Sequence, residues 1–437
     1  MTGYAARRYP ILAVILALWV LSLSATAENW PGWRGPRGDG TSLEANVPTK
    51  WDASTGESIR WKLDVPGDGH SSPIVWNDRV FLTTCLPESQ ERVLLCLDRE
   101  DGHVLWQQTV VRTPLETLHQ LNSRASGTPA TDGELVYVTF LETDGSLIDA
   151  PNVGTKRKIT PGVMLAAAYD FDGNQRWVKR VGEFISAHGF CTCPVLFENL
   201  VILNGDHDGK GYLVALDRET GDTVWKSPRA HGIRSYVTPL LRTVAGRTQL
   251  AMSGSLHVAA FDPHDGSTLW THEGPTEQFV ASPVFDGERF IFVGGYPDYH
   301  VLALRGDGTG DVTQSHVAWH STEARCYVPS PVLADGKLLV ANDEGIAHCF
   351  DAATGEHLWR ARLGRHYSAS LVSANGCGYF LDDDGVTKIV RPAEDKPDVV
   401  AENPVGEFCC ASPAIADGAL YIRSEKHLFS IGGPAGR

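Results

Sequence analysis

Cys409 and Cys410 stand side by side in the stretch EFCCASPAIADG, where two thiols could act as a redox device or be two ordinary residues of a strand. Two acidic turns hint at calcium, DHDG from Asp206 to Gly209 and DDDG from Asp382 to Gly385, and their repeat partner NDEG, from Asn342 to Gly345, puts all three in a hairpin turn between the second and third strands of a repeated unit. A full calcium loop needs further oxygen ligands at fixed positions. His188 and His231 could converge on a metal, but no carboxylate or cysteine accompanies them at convincing spacing, which favours solvated loop histidines. Arg124, Arg234, Arg325 and Arg365, with Lys156-Arg157-Lys158 nearby, could form a cationic well for an anionic ligand, a sugar acid or a partner's acidic segment. Alternatively, each arginine pairs with a local carboxylate such as Glu323 or Glu407 and ties elements together.

The elements that carry these groups form a repeat. LDREDGHVLW (97–106), LDRETGDTVW (216–225), FDPHDGSTLW (261–270) and FDAATGEHLW (350–359) are copies of one segment, and YDFDGNQRW (169–177) is one residue shorter. A Ser/Thr-Pro pair or its variant precedes each copy, in a column reading Pro73, Pro129, Pro194, Pro239, Pro283, Pro331, Leu371 and Pro413, which makes eight copies. Within a copy, apolar and polar residues alternate with period two between Gly/Asp/Asn turns, the pattern of a four-stranded antiparallel meander. Units of about 40 to 50 residues built this way predict a propeller. Asp98, Asp217, Asp262 and Asp351 open the turn between the last two strands, where a carboxylate can accept backbone N–H bonds and the following glycine can take a positive φ. Trp106, Trp225, Trp270 and Trp359 are expected to pack between neighbouring blades.

The last copy stops after its third strand, KHLFSIGG, whereas STGESIRWKLDV, with Trp61, reads as a fourth strand lacking its first three. Joining Ser58–Val65 to Lys426–Ile431 closes the ring and leaves no open sheet edge. The predicted fold is therefore all-β: an eight-bladed β-propeller of four-stranded antiparallel blades over residues 58–437, its C-terminal blade completed by the N-terminal strand, with an irregular extension over 28–57.

In a meander, the link between blades and the link between the second and third strands emerge on one face. The two longest insertions, 110–124 and 141–162, are one of each and should crown the same face. Residues just before the inner strands line the channel mouth there, so Arg124, His188, Arg234, Gln278, Arg325, Arg365 and His366 are the candidate ligand-binding residues. Aligned on the Ser-Pro pair, Cys409-Cys410 fall in the columns of Phe279-Val280 and Tyr327-Val328, at the start of an innermost strand. Neighbours on an extended strand point to opposite faces, so these two sulfurs should not be bonded to each other. Cys96 and Cys349 share the small-residue column of Ala215, Ala260 and Ala303 and read as buried spacers.

The N-terminus has Arg7-Arg8, a 13-residue apolar run from Ile11 to Leu23, and Ala25-Thr26-Ala27, the layout of a signal peptide cleaved after Ala27. The run is short for a membrane span, so the expectation is a soluble, exported, periplasmic or extracellular protein with no transmembrane segment. Its formal charge of −15 becomes −17 without residues 1–27, which argues against nucleic acid as a partner. Nine cysteines is an odd number, so at least one is free or pairs between chains.

The repeat A/C-[LF]-D-x-x-[TD]-G-x-x-x-W resembles the pyrroloquinoline quinone (PQQ) repeat of bacterial eight-bladed propellers across nearly all of the mature chain. Two functional classes share it, and the resemblance implies different chemistry for each. Quinoprotein alcohol dehydrogenases imply PQQ, calcium and an Asp base in the central funnel. Noncatalytic relatives, such as the scaffold lipoprotein of the outer-membrane β-barrel assembly machinery, imply protein binding without a cofactor. Adjacent cysteines occur in some of the dehydrogenases, but in a different part of the ring, so that role does not transfer to Cys409 and Cys410. The expectation is a binding or scaffold module for a protein partner, an anionic small ligand or a carbohydrate, with the PQQ- and calcium-dependent dehydrogenase as the alternative.

Overall fold

The computed structural model describes residues 28–433, so the signal-peptide reading lies outside the described residues. All regular structure among those residues is β. Eight antiparallel meanders of four strands follow one another around an axis. Blade 3 shows why the sequence folds this way. Its second strand, Leu200–Gly205, is buried throughout, and its third, Tyr212–Asp217, is buried except at its end, because neighbouring blades cover both faces. Its outer strand, Thr223–Pro228, alternates, turning Trp225 inward and Val224 and Lys226 to solvent.

Six of the outer-strand tryptophans dock into the turn between the last two strands of the next blade. The indole N–H of Trp61, Trp106, Trp177, Trp225, Trp319 and Trp359 donates to a backbone carbonyl of the following blade, at 2.8–3.0 Å. Trp270 instead reaches the side chain of Gln249. The turn glycine makes room: at Gly221, with φ +72°, a Cβ would lie 2.6 Å from Trp177. The aspartate holds the turn, as when Asp217 Oδ1 accepts the N–H groups of Glu219 and Thr220. Aspartate, glycine and tryptophan therefore recur together because they build one inter-blade contact.

The Ser/Thr-Pro column forms a ring of its own around the channel. The N–H of Ser72 donates to Thr128 Oγ1, that of Thr128 to Cys193 Sγ, and the series resumes from Thr238 to Ser282, Ser330, Ser370 and Ser412. The inner strands are only two to five residues long, since eight of them converge on the axis, and these bonds take over where the ladders end. Ser370→Ala should leave the buried N–H of Ser330 without its acceptor and cost roughly 1–3 kcal/mol, whereas Ser370→Thr should retain most of it. Chemical-denaturation midpoints of the two variants would check this.

Strand Ile59–Asp64 pairs antiparallel with His427–Ile431, closing blade 8 as expected, with Leu63 opposite Leu428. Across the seam, the buried Arg423 guanidinium donates to Ser71 O, Ser71 Oγ and Thr83 O of blade 1. The segment before the closing strand crosses the axis. Trp30 exchanges backbone bonds with Val75 of blade 1, Asp39 pairs with Arg242 of blade 4, and Gly40 and Ser42 bond Ser373 of blade 7. Arg34, fully buried, donates to the carbonyls of Asp39, Ser330, Pro331 and Leu371. The partners include the turns after the inner strands, such as Asp417-Gly418, whose N–H groups Glu44 accepts. The extension thus plugs the channel on the face opposite the two long loops.

Candidate functional site

The two long loops interlock over the face where the inner strands begin. Thr117 and Thr160 exchange N–H···Oγ1 bonds of 2.7 and 3.0 Å, and the Thr113 hydroxyl both donates to the Thr143 carbonyl at 2.7 Å and accepts the Thr143 N–H at 2.9 Å. The first loop is fastened by a buried ion pair between Arg92 and Glu116. The second carries a small hairpin, Ile148–Asp149 with Lys158–Ile159, whose tip reaches the link between blades 3 and 4. There Asn152 donates to Gly232 O at 2.9 Å, and its own carbonyl accepts Arg234 at 3.2 Å.

Two concavities open beside these loops. The channel mouth is a cavity of about 310 Å³, with His70, Tyr236, Val280, Tyr327, Asp343 and Cys410 on its wall. A side cleft of about 630 Å³ lies between the 152–157 tip and the links leading into blades 4 to 6. His188 and Tyr327 border both.

The seven sequence-derived residues divide between several settings. His188, Arg234 and Gln278 meet at the side cleft. Arg124 turns to Glu116, its Nε 3.3 Å from the backbone carbonyl and 4.0 Å from the carboxylate. Arg365 is exposed with Asp384 at 3.6 Å, and His366 Nδ1 lies 2.6 Å from Asp383. Arg325 is exposed and has no ion pair among the described residues. Arg234 is buried, with Nη1 2.8 Å from both carboxylate oxygens of Asp208. Three of the four arginines are therefore engaged by carboxylates, and pairing describes the mouth better than an open cationic well. The partners are not Glu323 or Glu407. Glu407 instead binds Lys62, Ser424 and His427, which hold its carboxyl down at about 2 despite burial.

The three acidic turns lie between second and third strands, as the repeat predicts, and their side chains bond protein groups. Asp206 forms a two-pronged pair with Arg229, at 2.8 and 3.1 Å, and Asp208 holds Arg234. Asp343 accepts Val328 N, and Asp383 accepts Ser368 N and Ser368 Oγ. His188 and His231 do not converge: His188 lies near Arg234, His119 and Tyr236, whereas exposed His231 packs against His257. The one group of three such ligands within reach of one another among the described residues is Asp98, Asp101 and His103, on the opposite face.

Burial sets the protonation of the channel. It lowers His70 to about 4 and His188 to about 3, with Arg423 and Arg234 respectively adding repulsion, so both imidazoles are neutral at pH 7. Burial also raises Asp343 to about 6 and the Cys410 thiol to about 12. A thiol in that state is a poor nucleophile.

Cys410 lines the channel cavity, while Cys409 is buried in the hydrophobic core of the closing blades, as strand alternation predicts. The pair lies ahead of the inner strand Ala414–Ala416 rather than at its start, because that ladder is short. All nine cysteines are free thiols. Mass mapping of the unreduced peptide carrying both residues is expected to show no two-proton loss, and iodoacetamide at neutral pH should label Cys410 slowly and Cys409 only on unfolding. A two-proton loss in most molecules would contradict this geometry.

A family model described as outer membrane protein assembly factor BamB matches residues 44–152, 158–308 and 307–395. The chain belongs to this family. The BamB of Yersinia pestis is 22% identical over 371 residues, which is 76% of this chain and 88% of that one. The crystal structure of BamB from Moraxella catarrhalis aligns with a TM-score of 0.57 at 14% identity, over 86% of this chain and 97% of that one. Quinohemoprotein alcohol dehydrogenase from Comamonas testosteroni aligns with a TM-score of 0.61 at 11% identity, over 94% of this chain and 81% of that one. At these identities the structural likeness establishes the eight-bladed fold alone.

PQQ is a planar quinone with three carboxylates and, with calcium, would need cationic side chains and a set of oxygen ligands. Among the described residues no arginine or lysine lines the channel cavity, and Asp343 is its one carboxylate. These residues do not fit the group. Sequence reasoning did not single out the cleft-lining Tyr296 and Asn152 or the channel-lining Asp343, because strand direction gives the face on which a turn emerges but only blade packing decides which of its side chains enter a cavity.

Proposed function

We propose that this protein is an exported scaffold, periplasmic or extracellular, that binds a protein partner through the face carrying loops 110–124 and 141–162. One observation carries this reading: both long loops are locked to each other and to the rigid ring by paired threonine bonds and buried ion pairs. A loop held this firmly presents a preformed surface, which lowers the ordering cost of association. The face also exposes Leu121, Leu147 and Phe408. The family and the Yersinia pestis relative, an outer membrane protein assembly factor, support the same reading.

The test is photo-crosslinking in the native host, with the reactive side chain at Leu121 or Leu147 on this face and at Leu43 on the plugged face. Protein adducts from positions 121 and 147 and none from 43 are expected. Adducts from 43 alone would assign the working surface to the other end. Reconstitution with PQQ and Ca²⁺ that yields bound quinone and turnover of an alcohol or sugar would replace the scaffold reading with the dehydrogenase.

A further inference from the structure

The side cleft holds a feature that a protein-binding face does not by itself require: an exposed aromatic platform ringed by planar polar groups with no net charge. Tyr296 is 52% exposed, unusual for so large a side chain beside a cavity. Its backbone is pinned by a two-way bridge to Gln278, with N···O distances of 3.1 and 3.0 Å, so the fold fixes where the side chain emerges. Tyr327 stands 6.3 Å away at 59°, giving the cleft two aromatic walls. The Tyr327 hydroxyl reaches Gln278 Oε1 at 3.4 Å, which leaves the Gln278 amide N–H groups free to donate. Glu277 and Arg157 border the same cleft and have no ion pair among the described residues.

Charge decides between ligand classes. The Arg234 guanidinium is neutralised by Asp208, and Arg157 is balanced by Glu277. A carboxylate ligand would gain one free cation and meet one free anion. A neutral polyol gains from all of these groups, because carboxylate, guanidinium and amide each present two parallel sites for adjacent hydroxyls, as in two-pronged recognition generally. The tyrosine faces supply what a sugar's C–H face needs, an apolar body with a polar tip. The cleft volume of about 630 Å³ exceeds that of one pyranose ring and falls within the range of small-molecule pockets.

We infer that the cleft between Tyr296, Tyr327 and the 152–157 tip binds a short, uncharged oligosaccharide, stacked on Tyr296 and held by Gln278, Glu277 and Arg157. The site goes beyond the scaffold reading and fails or survives independently of it. Saturation-transfer NMR on the full exported chain with cellohexaose, maltohexaose and chitotetraose, and with hexagalacturonate as the acidic comparison, tests it. At least one neutral oligosaccharide should show transfer to its ring C–H protons and bind more tightly than hexagalacturonate. Tyr296→Ala, at an exposed side chain, should keep the circular dichroism spectrum and weaken that binding about tenfold or more. Arg157→Ala, on the exposed loop, provides a second variant with the same expected direction. Three results would each overturn the proposal: no transfer to any neutral probe, preference for hexagalacturonate, or binding indifferent to both variants.

Discussion

Deletion of residues 28–66 is expected to lower the melting midpoint of the protein by roughly 10–20 °C. The segment supplies the outer strand of blade 8 and the plug, and with them the buried side chains Trp30, Val47, Trp51, Trp61 and Val65. Burying each such side chain contributes about 1.5–3 kcal/mol, an upper estimate for a real unfolded state, so roughly 10 kcal/mol is at stake. The deletion also leaves His427–Ile431 as an open edge, which invites pairing with other chains. Thermal melts of chains starting at residues 28, 58 and 67 separate the two contributions. Loss of the plug alone should give an intermediate midpoint, since the closing strand Ile59–Asp64 remains. A chain starting at residue 67 that melts with the full-length protein would show that neither element closes the ring cooperatively.

Asp208→Asn is expected to destabilise the protein by roughly 3–5 kcal/mol, because it leaves the buried Arg234 guanidinium without its counter-charge. Side-chain exposures of 3% for Arg234 and 0% for Asp208 leave no solvent to compensate. The effect should be local to the binding face. Arg234 also donates to Asn152 O, so hydrogen exchange should speed up across 141–162 while the far blades stay protected. The double variant Asp208→Asn with Arg234→Met removes both charges and should recover much of the loss, which a denaturation midpoint can measure. A single variant as stable as the parent would mean that Arg234 finds water or another acceptor, and the fastening role of this pair would be wrong.

Much of the architecture was legible in the sequence because a propeller repeats one local solution. The aspartate, glycine and tryptophan of LDRETGDTVW each answer a requirement within one turn or against the adjacent blade, so the requirement recurs at a fixed period. Closure could be read from an incomplete last copy and a stray strand containing Trp61. The common face of the two long loops followed from strand direction alone, and so did the divergence of Cys409 and Cys410.

The charge partners could not be read in this way. Asp208 and Arg234 are 26 residues apart and belong to different blades, and nothing in DHDG named a guanidinium as its partner. The Ser/Thr-Pro column was visible, yet its hydrogen bonds run from one blade to the next across 40 to 65 residues, at six of the eight junctions, and exist only once the blades converge on an axis. The plug has no repeat to betray its path, which is set by burying Trp30 and finding carbonyls for Arg34. Tyr296 is placed by a bridge to Gln278 between separate turns. Period and alternation, which act over neighbouring residues, were thus determined by the sequence itself. Which side chains meet at the mouth was decided by tertiary structure, because desolvation makes each buried charge or N–H take the nearest available partner in space, whatever its distance along the chain.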